Sequence, residues 1–170
     1  HGADVINLSF EFDDTFRQFG ASEIPDVLAA VRFAARRGVV VVAAAGNFER
    51  PAISYPARAQ TVIAVGATTE HACRARYSNV GRGLDLVAPG GGPDDPDDAT
   101  CPKGLPEGRD IYQTTFPWAG LQSAPRGTSS SRRFGLPSGF IGTSMAAPHV
   151  SAAAALVIAS GILGPDPTPQ

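Results

Sequence analysis

Ser144 stands out because of its surroundings: it opens a run, Ser144 to Ala159, that is apolar nearly all round. Such a helix belongs inside a domain, so a hydroxyl on its first turn is presented for a purpose. Gly142 permits a close approach and Thr143 is the expected N-cap. The unpaired amides of the first turn and the helix dipole then favour negative charge beside Ser144. That suits acyl transfer, in which an oxyanion forms next to the attacking oxygen. The plain alternative is that Thr143 and Ser144 only cap a buried helix. Asn47 is the second chemical candidate, because it follows the run Val39 to Ala44, where α/β folds place ligands at the carboxyl ends of strands. Its side-chain amide can donate to an oxyanion, with the backbone N–H of Ser144 as partner donor. Gly46-Asn47 is equally an ordinary strand exit.

The elements that must position these residues are legible as patterns. Asp4 to Phe10 is a short apolar strand. Ile24, Val27, Leu28, Val31, Ala34 and Ala35 recur at helical spacing up to Gly38. Val39 to Ala44 is a continuous β-branched and small apolar run, as expected of a strand covered on both faces of a parallel sheet. These three segments form a βαβ crossover. Thr61 to Ala67 and Leu84 to Ala88 add two buried-looking strands. With the final helix, the chain is expected to form a three-layer α/β domain with a mostly parallel sheet and helices on both faces. Between Pro89 and Gly142 the texture changes to Gly, Pro, Ser and Asp, with Ile111 to Thr115 as the one convincing strand. Residues 90–109 and 118–137 are expected to be inserted surface loops.

Gly142-Thr143-Ser144-Met145-Ala146-Ala147-Pro148-His149-Val150 resembles the nucleophile signature of the subtilisin-like serine proteases, the subtilases. Three more segments resemble that family in the same order: Val5-Ile6-Asn7-Leu8-Ser9, Val41 to Asn47, and Tyr77-Ser78-Asn79 leading to Asp85 to Gly90. The resemblance covers about residues 2–91 and 109–160. It implies that Ser144 is the nucleophile of a peptide-hydrolysing acyl-enzyme and that Asn47 is the oxyanion donor. It implies further that Leu8, Ser9 and Phe10 form an extended edge for the substrate main chain. Ala44, Ala45 and Gly46, with Tyr55-Pro56-Ala57, would wall the pocket for the side chain before the scissile bond, and Thr143 is counted with the substrate-binding residues.

Two departures from the family pattern matter. Glu11 stands where the family carries glycine, so that a carboxylate there would narrow the pocket entrance or favour a basic substrate side chain. The Asp-Thr-Gly-like and His-Gly-Thr-His-like segments that supply the family's carboxylate and base do not occur in the sequence. None of the three histidines is read as their replacement. His149 shares a helix with Ser144 and reads as a packing residue with a satisfied ring, His71 follows a strand, and His1 is the first residue. Residues 1–170 are therefore expected to be an internal part of a catalytic domain, incomplete at both ends and inactive alone, with the Asp and His upstream.

A formal net charge of −2 implies no polyanionic partner such as nucleic acid. No run of eighteen apolar residues is present to span a membrane, and no signal peptide opens the sequence. No cofactor is expected for catalysis. Asp94, Asp95, Asp97 and Asp98 could ligate a structural calcium ion, but the spacing fits no EF-hand and a solvated acidic turn is preferred. Cys73 and Cys101 form either one bridge in an exported protein or two free thiols. The expected activity is that of a secreted or extracytoplasmic serine endopeptidase acting on proteins or peptides. The alternative is a catalytically inactive subtilase-like domain that holds peptides.

Overall fold

The computed structural model describes residues 2–13, 17–115 and 139–164. Strands β1 (Val5–Leu8), β2 (Val40–Ala44), β3 (Val62–Thr68) and β4 (Leu86–Pro89) form one sheet in the order β1-β2-β3-β4. All three pairings are parallel, with Leu8 opposite Ala43, Ala44 opposite Val65 and Ala67 opposite Ala88. Helix α1 (Pro25–Ala35) makes the crossover from β1 to β2, with proline in its first turn and Gly38, at φ 77°, turning the chain back just beyond it.

Alternation along β2 and β3 divides the core between two faces. Val41, Ala43, Val62 and Ala64 face one way, with Val31 of α1 and Ile53 in the same cluster. Val42, Val65 and Ala67 face the other way, onto Ala146 and Ala147 of helix α2 (Thr143–Ala159). Small residues on both sides of that second interface bring α2 close to the sheet. The expected three-layer arrangement is therefore present, with the strand ends that precede Gly46 and Gly90 beside the start of α2.

Several expectations are corrected. α2 is not covered all round: Thr143, Ala146 and Ala147 are buried, whereas Leu156 is 72% exposed. The sheet covers one side of the helix, and no described element lies over the other. β4 is an edge strand in which only Ala88 is buried, since nothing pairs with its outer side among the described residues. Ile111 to Thr115 is not a strand. Ile111 exchanges hydrogen bonds of 2.9 and 3.1 Å with Phe140 in one antiparallel bridge, and the partner segment then turns at Gly142 into α2. Residues 118–137 and His1 lie outside the described residues.

Residues 90–109 are tied mainly to the connection that follows β3. Cys73 and Cys101 form a disulfide across 28 residues, which settles the alternative left open by the sequence. Asp94 accepts from Thr69 Oγ1 at 2.5 Å and meets His71 Nδ1 at 2.8 Å, Asp95 pairs with Arg74, and Asp98 accepts from the Arg74 N–H at 3.0 Å. The group of three potential metal ligands that converges among the described residues is Cys73, Asp94 and Cys101, and two of those are joined in the disulfide. Asp94, Asp95 and Asp98 are thus each engaged by protein donors.

Replacing both cysteines by alanine should lower stability by about 3–4 kcal/mol through the freed loop, read as a shift in denaturant midpoint. Asp98 is held down to about 2, mainly by the Thr100 hydroxyl and then by the Arg74 and Thr100 N–H groups. A depressed carboxylate adds stability above its ordinary pKa and loses it as pH falls toward the depressed one. Acid titration between about pH 4 and 2 should therefore loosen this loop in the wild type, and Asp98→Asn should flatten that change.

Candidate active site

The start of α2 is set by Gly142, whose φ of 145° lies in a region that L side chains rarely adopt. Gly142, not Thr143, is the N-cap. Thr143 is the first helical residue, and its buried side chain clasps the end of β2 instead. Its Oγ1 donates to Asn47 Oδ1 at 3.0 Å and accepts from the Gly46 N–H at 3.2 Å, while its own N–H donates to Asn47 Oδ1 at 2.8 Å. An N-cap side chain would have bonded forward into its own helix; this one is used across the fold.

Pro148 sits inside α2, where it lacks the N–H that would normally bond back to the carbonyl of Ser144. That freed carbonyl accepts from Ser9 Oγ at 2.8 Å, and Ser144 Oγ donates to Ser9 O at 3.0 Å. Asn7 Nδ2 in turn donates to Ser9 Oγ at 2.8 Å. The exit of β1 and the first turn of α2 are thus joined by a reciprocal serine pair. Ser144 Oγ lies on the first helical turn, part-buried, at the carboxyl end of the sheet.

Asn47 has its carbonyl oxygen fully used by Thr143, which turns its amide nitrogen the other way. Asn47 Nδ2 donates to Glu11 Oε1 at 3.0 Å, and the Asn47 backbone N–H lies 3.2 Å from both Glu11 oxygens. Burial pushes the Glu11 carboxyl above its ordinary range, against the opposing pull of the Asn47 side-chain and backbone N–H groups. The loop that holds Asn47 is built on Asn79, which is fully buried. Asn79 Oδ1 accepts from Phe48 N at 3.0 Å and Arg50 N at 2.9 Å, and Nδ2 donates to Ser54 Oγ at 2.9 Å. The Tyr77 hydroxyl donates toward Gly90 O at 2.7 Å and accepts from Gly142 N at 2.9 Å. Burial raises that phenol to about 12, so at neutral pH it is protonated and donates.

The residues singled out in the sequence fall into two groups. Ser9, Asn47, Thr143 and Ser144 converge as described. Leu8 lies at the end of β1, and Phe10 is 45% exposed with no backbone hydrogen bond among the described residues. Ala44 and Ala45 are buried, and Ala45 and Gly46 have their backbone groups engaged, Ala45 O by Ser54 N and Gly46 O by Asn79 N, each at 2.9 Å. Ala57 belongs to the core under β2. His149 is exposed and not a packing residue; its Nδ1 lies 2.8 Å from Met145 O, because its side of α2 faces outward. Sequence reasoning gave no role to Tyr77, Asn79, Ser54 or Pro148. The polar Tyr77-Ser78-Asn79 cluster just after a strand was the available signal. A crevice of about 430 Å³ bounded by Val40, Thr61 and Asp85 lies at the opposite, amino ends of the strands, away from Ser144.

The subtilase family model matches residues 1–162, and the chain belongs to that family. It is 40% identical to Subtilisin BL of Lederbergia lenta over 128 residues, covering 75% of this chain and 35% of that protein. It is 39% identical over 140 residues to an extracellular serine proteinase of a Thermus species, covering 82% of this chain and 26% of that one. Among solved structures, proteases from Pseudoalteromonas arctica superpose with a TM-score of 0.64 at 32% identity, covering 98% of this chain and 41% of theirs. The chain thus spans well under half the length of these relatives. No described helix is long and apolar enough to cross a membrane.

Asn79→Ala should orphan the Phe48 and Arg50 N–H groups and cost about 3 kcal/mol, measured by chemical denaturation. A loss under about 0.5 kcal/mol would mean that the loop finds other acceptors.

Proposed function

We propose that this chain carries the nucleophile and oxyanion-binding part of a serine endopeptidase, which hydrolyses peptide bonds through an acyl-enzyme on Ser144. The supporting observation is that Thr143, the residue before Ser144 on the first turn of α2, holds the Asn47 amide in a fixed orientation. In this reading Ser144 Oγ leaves Ser9 O, gives its proton to a base, and attacks the substrate carbonyl. The developing oxyanion accepts from the Ser144 N–H and from Asn47 Nδ2, whose amide plane Thr143 holds before reaction and whose nitrogen also donates to Glu11. The base and its orienting carboxylate belong to segments outside these residues. No metal or other cofactor enters the chemistry.

Phe10, whose backbone makes no hydrogen bond among the described residues, offers the edge on which a peptide main chain would pair. Ala45 and Gly46, whose polar groups are spent within the fold, contribute a close-packed wall. The Cys73–Cys101 disulfide and the extracellular Thermus relative support an exported protein. The second reading is an inactive subtilase-like domain that holds peptides without cutting them.

Fluorophosphonate treatment of the full-length polypeptide, read by intact mass, should add one label that Ser144→Ala abolishes. Asn47→Ala should lower kcat by about 10²- to 10³-fold while leaving KM nearly unchanged. Silence toward the label, together with retained peptide binding, would favour the second reading.

A further inference from the structure

Glu11 puts a carboxylate on the donor assigned above to the oxyanion. Its carboxylate lies on both N–H groups of Asn47, at 3.0 Å from Nδ2, the nitrogen assigned above to the oxyanion. Its other oxygen reaches in beside Gly46 Cα, where Ser54 Oγ and Asn79 Nδ2 also crowd and no side chain would fit. A second carboxylate, Asp13, accepts from the same Ser54 hydroxyl. Asp13 has a cation, Arg50, at 3.0 Å; Glu11 has no lysine or arginine partner among the described residues. Among the described residues, then, Glu11 is a half-buried carboxylate with no cation beside it, one hydrogen bond from the Asn47 amide.

Two negative oxygens at one amide nitrogen repel each other in a partly desolvated site, so Glu11 opposes the charge that acyl transfer creates. A substrate cation delivered to Glu11 would cancel that opposition, and the residue nearest to deliver it is the one whose carbonyl is attacked. Resting on the serine-protease reading, we propose that Glu11 is the specificity-determining residue of this site, and that it receives the lysine or arginine side chain of the substrate residue immediately before the scissile bond. Its sequence neighbours Phe10 and Phe12 pack edge to face on each other, with ring centroids 5.6 Å apart, and Phe10 is 45% exposed.

The test uses the full-length polypeptide and peptides that differ only in that residue: arginine, lysine, glutamine or phenylalanine. The wild type should favour arginine or lysine over phenylalanine in kcat/KM by about tenfold or more, the worth of one charge-assisted hydrogen bond. Glu11→Gln and Glu11→Gly should each erase most of that preference, with phenylalanine cleaved as fast or faster than before. A ratio unchanged in both variants would overturn the proposal. Benzamidine binding to Ser144→Ala protein, followed by calorimetry, decides the cation site without any turnover. Binding lost in Ser144→Ala, Glu11→Gln would support the proposal, and binding kept there, or absent from the start, would overturn it. Failure of Ser144 to take a fluorophosphonate would count against the protease reading alone.

Discussion

The side-chain amide of Asn47 is the joint on which this structure turns. Its oxygen takes two donors from Thr143, which fixes the start of α2 against the end of β2. With the oxygen so occupied, the amide nitrogen has one way left to face, toward the exit of β1. An asparagine can do this because donor and acceptor sit on one rigid plane; an aspartate would present acceptors on both sides and repel Glu11. The direction of the donor is thus a consequence of the helix docking, not a separate choice of rotamer.

That docking depends on small side chains. Ala146 and Ala147 meet Val42, Val65 and Ala67 across the second core face. Larger residues there would lift α2 from the sheet and lengthen the Thr143 contacts that orient Asn47. Gly46 adds a complementary requirement, since its φ of 114° and the polar atoms crowded at its Cα leave no room for a side chain. The polar network of Asn79, Ser54 and Tyr77 then does what the alanines cannot, satisfying backbone groups beyond β2 and β4 and at the start of α2, where regular pairing has ended.

The periodicity of residues 4–44 made the βαβ crossover legible, because one apolar pattern of period near 3.6 sits between two runs without it. The fold class followed. Edge position was hidden: Leu86 and Val87 are as apolar as any central strand, and only pairing decides which strand is covered. The extent of burial of α2 was hidden for the same reason, since composition cannot say how many sides of a helix have neighbours. At the site, Ser144 and Asn47 were legible from their motifs. The clasp by Thr143 was misread as a cap, because a threonine before a helix has two competing uses and the winner is chosen by a residue 96 positions away. The disulfide was undecided for a similar reason, distance in space being invisible in the spacing of two cysteines.

The hydrogen bonds between Ser9 and Ser144 close a span of 135 residues, and those between Asn47 and Thr143 one of 96. The β1-α1-β2 unit, by contrast, is made of neighbours. Closing long spans costs chain entropy before any contact rewards it, so local units form early and such contacts late. By that reasoning the β1-α1-β2 unit is expected to form ahead of the contacts that orient Asn47 and seat Ser144. Segments so far apart in sequence meet only once the sheet and α2 have both formed, so this geometry reports on the tertiary fold and not on any one element.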